Sequence, residues 1–284
     1  MSKVDLHLHT TFSDGRLTPL ELVTFCYEKG LKVIAISDHD TTEGISQAKS
    51  VGCTLGMEVV SAIELGTSLN GAEIHVLGYF IEPEQIEFQE TLANYRDTRV
   101  NRIEGIVSKL NALGIPLSWE QVSDLAGMGS IGRPHIAYAL VKYGYVNNIR
   151  EAFDIYLKPG TPAYIPRDLP TPHESVRMIK ENGGVPVLAH PLFTKSKSDR
   201  YDIPFLEDLV ESLCEEGLKG LEVFYGDYTE GQIEKLLHIS SKYHLVPCGG
   251  SDYHATGASD EVMPGESGPS IEHFLELKNL SNVV

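Results

Sequence analysis

The chain has 284 residues, enough for one large core or a core with a small insert. It is 42% hydrophobic but has no apolar run of about 18 residues, so no membrane-spanning helix is expected. A formal net charge of −17 argues against a broad basic surface for long nucleic acids, although bound divalent ions would still let it accept phosphate.

No basic or apolar leader precedes the first strand, and Cys26, Cys53, Cys214 and Cys248 form no Cys-x-x-Cys pair. A cytoplasmic protein with free thiols is the expectation. Val4, Leu6 and Leu8 alternate with Asp5, His7 and His9, the period of a strand. His7 and His9 therefore face the same way at a strand end, where two imidazoles can share one metal ion. Asp14 follows on the next loop, at the same mouth. Thr18, Pro19 and Glu21 open a helix as N-cap, first helical residue and first-turn acid, and Gly30 closes it. Residues 32–37 form an apolar run typical of a buried parallel strand, ending in Ser37-Asp38-His39-Asp40. Residues 59–65 make a strand that carries Glu64, and residues 72–80 make one that carries His75. Asn70-Gly71 between them is a hairpin signal that brings Glu64 and His75 together.

The strand rhythm stops over 83–160, where a long helix (84–112) is followed by shorter ones at 119–125, 135–142 and 149–157. Ser130-Ile131-Gly132-Arg133-Pro134-His135 lies in the middle of this all-helical block. A Pro/Gly-rich link (158–164) leads back to alternating strands and helices. His190 ends the strand 185–191, Glu222 sits within the strand 218–224, and Gly250-Ser251-Asp252-Tyr253-His254 follows the strand 245–248. The expected organisation is a barrel in two parts, 1–82 and 161–284, with a helical insert or lid at 83–160.

This alternation predicts an α/β fold with its polar clusters at strand C-terminal ends, where active sites sit in barrels of βα units. His7, His9, Asp14, His39, Glu64, His75, His190, Asp252 and His254 supply nitrogen and oxygen donors without a thiolate. Such donors favour Mn²⁺, Zn²⁺ or Fe²⁺, and they exceed what one ion takes. Two or three ions ~3.5–4 Å apart, bridged by Glu64 or a hydroxide, would activate water and hold phosphoryl oxygens. Asp38 and Asp40 read as acceptors orienting His39 and its neighbours, Asp5 as structural, and Glu222 as the partner of a lysine.

Asp5-Leu6-His7-Leu8-His9, Ser13-Asp14-Gly15, Ser37-Asp38-His39-Asp40-Thr41, Ala62-Ile63-Glu64, Glu73-Ile74-His75, Leu188-Ala189-His190-Pro191 and Gly250-Ser251-Asp252-Tyr253-His254 together resemble the motifs of the polymerase and histidinol phosphatase (PHP) superfamily, in that family's order. The resemblance implies a distorted (β/α)₇ barrel and a metal-dependent phosphoesterase. It also implies that His7, His9, Glu64 and Asp252 surround one ion, that Glu64, His75 and His190 surround a second, and that Asp14, His39 and His254 hold a third. Asp14 stands where many members have histidine.

The helical insert resembles the branch containing the 3′,5′-bisphosphate nucleotide phosphatases and the RNase AM (TrpH-like) 5′-to-3′ exoribonucleases. In that branch an Arg-x-His on the insert binds phosphate, and Arg133 and His135 match it. Relatives often continue the His-Pro strand end with Gly-Arg. Here Leu192-Phe193-Thr194 follows, and Lys195, Lys197 and Arg200 read as a solvated loop near enough to offer that cation. The implied substrate is a small phosphorylated molecule, with a nucleoside 3′,5′-bisphosphate leading. Short RNA, a cyclic phosphate and histidinol phosphate are the alternatives, and a non-catalytic metal or nucleotide sensor is the reading from another class. The implied nucleophile is a metal-bound hydroxide held by Glu64 and the other ligands.

Overall fold

A computed structural model describes residues 3–70, 72–126, 131–166, 169–192, 203–226 and 228–281. Lys195, Lys197 and Arg200 lie outside the described residues. The chain runs β1 (Val4–Asp5), α1 (Pro19–Glu28), β2 (Val33–Ile36), α2 (Ile45–Leu55), β3 (Glu58–Leu69) and β4 (Ala72–Tyr79). The helical block holds α3 (Ile86–Ala112), α4 (Trp119–Ala126), α5 (Arg133–Lys142), α6 (Ile149–Ala152) and a π-helical turn, Phe153–Leu157. The second barrel part is α7 (Pro172–Glu181), β5 (Val185–Leu188), α8 (Ile203–Glu216), β6 (Gly220–Tyr225), α9 (Glu230–Lys242), β7 (Val246–Gly250) and α10 (Ile271–Asn279).

The strands form one seven-stranded sheet in chain order. All neighbours are parallel except β4, which runs antiparallel to β3 and β5. β3 outruns its expected end because its pairing with β4 continues to Leu69 opposite Ala72. Conversely, only Val4 and Asp5 pair with β2. Beyond them the chain stays buried but bonds to the other end of the sheet. Leu6 N–H donates to Gly249 O (3.1 Å), Asp252 N–H to His7 O (3.0 Å) and His9 N–H to Tyr253 O (3.1 Å). These bonds curl the sheet into a nearly closed barrel. Gly250 sits in the seam, where a Cβ would come within 2.4 Å of His7 N and 2.6 Å of Asp5 Oδ1. Only glycine fits that approach.

Apolar strand faces fill the barrel, with Val4, Leu6, Val33, Ala35, Val60, Leu77 and Val187 in one cluster. The helical block has its own core of Ile103, Ile106, Leu110, Leu117, Val122, Ile136, Leu140 and Leu157. Helix α3 serves both. Phe88 and Leu92 on its first half pack against Ile63, Val76, Val176 and Ile179 of the barrel. Its second half belongs to the helical core. At 27 residues it is about 40 Å long, enough to reach from one core into the other.

Candidate metal centre

The strand ends deliver the predicted donors to one mouth. Glu64, fully buried on β3, is the hub. Its Oε2 lies 3.2 Å from His7 Nε2, 3.3 Å from His9 Nε2 and 3.2 Å from His39 Nδ1. Its Oε1 lies 2.8 Å from His75 Nδ1 and 2.9 Å from His190 Nε2. Asp252 Oδ1 closes the first group, 3.3 Å from His7 Nε2 and 3.0 Å from His9 Nε2. Asp14 Oδ1 faces His254 Nε2 at 3.3 Å and His9 Nδ1 at 3.8 Å, and its Oδ2 faces His39 Nε2 at 3.9 Å. Gly15 makes that approach possible, because a Cβ there would sit 2.3 Å from His9 O.

Among the described residues, three groups of metal-competent donors result: His7, His9, Glu64 and Asp252; His39, Glu64 and His75; and His9, Asp14, His39 and His254. The partition differs in detail from the one implied by sequence. His9 and His39 each face two groups, because both nitrogens of each ring are engaged.

The donor geometry fits cations. His7 Nε2, His9 Nε2, His39 Nδ1, Asp14 Oδ1 and Asp252 Oδ1 are buried with no hydrogen-bond partner among the described residues. Buried polar atoms are almost always partnered, yet these five face other donors of the same cluster. Donors held roughly 2.0–2.2 Å from a shared ion are about 3–3.5 Å apart, close to the separations found here.

The electrostatics agree. Burial disfavours the Glu64 carboxylate, but the His39, His7 and His75 imidazoles outweigh it and hold its pKa well below the usual range. Burial also disfavours the His9 imidazolium, yet Asp252 and Glu64 hold its pKa up at about 10. His75, likewise against burial, is held at about 9 by Glu64 and Glu73. His39 goes the other way, to about 3, because burial exceeds the pull of Glu64 and Asp14. The cluster therefore attracts positive charge strongly, and protons stand where cations fit.

Supporting contacts fix these donors. Ser13 Oγ–H donates to Asp38 and lies 3.4 Å from His9 Nδ1. Asp38 also accepts from Thr10, so it braces the His9 loop. Asp40 accepts from Arg99 (2.6 Å) and from the Gly66 N–H (3.4 Å), which ties the loop after His39 to α3. Asp5 accepts from the Ser251, Gly265 and His7 N–H groups, and burial still pushes its pKa up to about 6. Asp40, His190 and Asp252 have φ of 54°, 24° and 54°. Three strand-end residues in the left-handed region mark strain gathered at the site.

Glu222 needs correction. Among the described residues it pairs with no lysine: its Oε1 lies 3.0 Å from His7 Nδ1, and its Oε2 accepts the His190 N–H at 2.6 Å. Sequence reasoning also passed over Tyr225, whose O–H donates to Asp252 Oδ2 (2.9 Å), and the arginines of α3. Glu222 carries the same signal as Glu64, an acid within an apolar strand. Arg96, Arg99 and Arg102 recur every third residue on one helix face.

The helical block roofs the mouth. Arg99, Arg102, Arg133 and Phe153 line one cavity together with Asp14, His39, Glu73 and His75. Arg133 donates to Glu73. His135 Nδ1 accepts the Gly132 N–H (3.0 Å), and burial lowers its pKa, so the ring is neutral with its proton on Nε2.

A family model for the PHP domain matches residues 5–159. The chain is 32% identical over 257 residues to a 5′-3′ exoribonuclease of Haemophilus influenzae, covering 89% of this chain and 90% of that one. It is 29% identical over 285 aligned residues to a 3′,5′-nucleoside bisphosphate phosphatase of Chromobacterium violaceum, covering 98% and 93%. A solved structure from Bifidobacterium adolescentis, assigned as a metal-dependent phosphoesterase, matches with a TM-score of 0.88 at 31% identity, over 98% of this chain and 96% of that one.

Proposed function

The chain belongs to the PHP domain family and is a metal-dependent phosphoesterase, and from that premise we propose that it releases phosphate from a nucleoside 3′,5′-bisphosphate. The observation that carries this substrate is the roof. Arginines from the helical block share one cavity with the acid-and-histidine floor, so once divalent ions are held on that floor a molecule with two phosphates would meet positive charge at both. The phosphatase from Chromobacterium violaceum supports the same choice by its likeness to nearly the whole chain.

On this reading His7, His9, Glu64 and Asp252 hold one divalent ion and Glu64, His75 and His190 a second. Asp14, His39 and His254 complete a third site, and Mn²⁺, Zn²⁺ and Fe²⁺ are the fitting ions. Bound there, divalent ions lower the pKa of water and neutralise charge on the phosphoryl group. Glu222 fixes the His7 tautomer by accepting from Nδ1, which leaves Nε2 free to ligate. Arg133 turns its guanidinium to the phosphate, and the His135 Nε2–H is available as a neutral donor beside it. The helical block acts as a lid that keeps these donors over the floor.

A second reading, 5′-to-3′ trimming of short RNA, draws on the Haemophilus influenzae relative. The net charge of −17 limits it to oligomers of a few nucleotides. Phosphate release from nucleoside bisphosphates, nucleoside monophosphates and short 5′-phosphorylated RNA separates the readings. The bisphosphates should show the highest kcat/KM, and Arg133→Ala should lower it with metal content unchanged. Equal rates on mono- and bisphosphates would overturn the two-phosphate assignment.

A further inference from the structure

The roof of the cavity is not only basic. Phe153, Ile103 and Pro134 line it beside Arg102 and Arg133. The Arg133 guanidinium lies 5.9 Å from the centre of the Phe153 ring and 6.0 Å from that of Tyr164. Phe153 begins the π-helical turn that follows α6. Such turns are rare and frequent at functional sites. The carbonyl of Leu157, at the end of the turn, accepts from Arg133 Nη1 at 3.4 Å, so ring and guanidinium are set by one piece of backbone.

A phosphate uses the cations of this wall but gains nothing from the ring. Phe153 packs in part against the helical core, and the area it leaves open on the cavity beside Ile103 and Pro134 suits a ligand that brings an apolar face with its phosphate. A planar heterocycle joined to the phosphate through a sugar has that form. Such bases stack on aromatic side chains whatever their identity, because each presents a π face.

We propose that Phe153 is the surface on which the base of a nucleoside phosphate stacks in this cavity, which deepens and rests on the nucleotide reading above. Its consequence is a preference for nucleosides over base-free sugar phosphates, with little discrimination among bases.

The test is calorimetric binding of adenosine 5′-phosphate, cytidine 5′-phosphate and ribose 5-phosphate to metal-loaded protein. Wild type should bind both nucleotides about tenfold more tightly than ribose 5-phosphate. Phe153→Leu should erase most of that preference and leave ribose 5-phosphate affinity within about twofold, while Phe153→Tyr should keep the preference. Equal weakening of all three ligands by Phe153→Leu would reduce the ring to a brace for Arg133 and overturn the proposal. So would a wild type with no preference. Neither readout requires turnover. A wild type that releases no phosphate from nucleotides, yet shows a Phe153-dependent preference for them in binding, would sink the phosphatase reading and leave the stacking surface standing.

Discussion

Glu222 binds two ligand-bearing segments with one buried carboxylate, holding the His7 ring and the His190 backbone. Glutamine has nearly the same shape but replaces one acceptor oxygen with a donor and removes the charge. Glu222→Gln should therefore weaken metal binding by about 10–100-fold while the protein stays folded. Metal content measured after dialysis against graded free metal checks this, and an unchanged binding curve would remove Glu222 from the centre. The residue also shows what sequence can and cannot carry. An acid in the run Leu221-Glu222-Val223 signals a buried polar group as plainly as Glu64 does. Period and spacing say which way a side chain faces, not what it meets, so a lysine partner fits the pattern equally well. The same holds for Asp38 and Asp40, two residues apart in sequence, which turn to Ser13 and Arg99 respectively.

At the scale of elements, the boundaries were largely legible. Thr18 caps α1 as expected, with Glu21 completing a capping box, and the β3–β4 hairpin turns at Asn70. What the pattern did not reveal is that α3 belongs to two cores, since one apolar stripe serves either packing equally well. Its arginines join the block to the barrel: Arg96 donates to Asp40 O (3.1 Å) and Arg99 to Asp40 Oδ2 (2.6 Å). Arg99 is largely buried and Asp40 fully so. Removing one member of such a pair costs about 3–5 kcal/mol, whereas replacing both with neutral groups is far milder. Arg99→Met should lower stability on that scale, and adding Asp40→Asn should recover most of it. Asparagine also tolerates the left-handed backbone at position 40. Urea unfolding of the two single variants and the double variant, all metal-free, gives the coupling. Strictly additive losses would show that this pair does not pin the helix to the barrel.

The whole molecule brings residues from the two ends of the chain into one group of metal-competent donors: His7 and His9 lie just past the first strand, Asp252 just past the last. The order of motifs made the shared mouth legible. The double use of His9 and His39 was not, because spacing cannot say which ring nitrogen faces which neighbour. If ions bind there as proposed, the same closure makes metal and fold interdependent. A cation between His7, His9, Glu64 and Asp252 would span the seam alongside the Leu6, His9 and Asp252 backbone bonds, the Asp5 bonds to Ser251 and Gly265, and the Gly250 approach. An ion present at a thousand times its Kd adds about 4 kcal/mol to stability. At roughly 2–4 °C per kcal/mol for a chain of this size, chelation should lower Tm by about 10 °C. Returning Mn²⁺ or Zn²⁺ should restore it. The loss should be local first, so hydrogen exchange in chelated protein should quicken at the Leu6, His9 and Asp252 amides before it does in α9 or α10. His9 contributes to two of the three groups, so His9→Ala should resemble the chelated state even with metal present. If chelation left both Tm and seam protection unchanged, the cluster would not be holding ions in the folded protein, and its unpartnered donors would need another explanation.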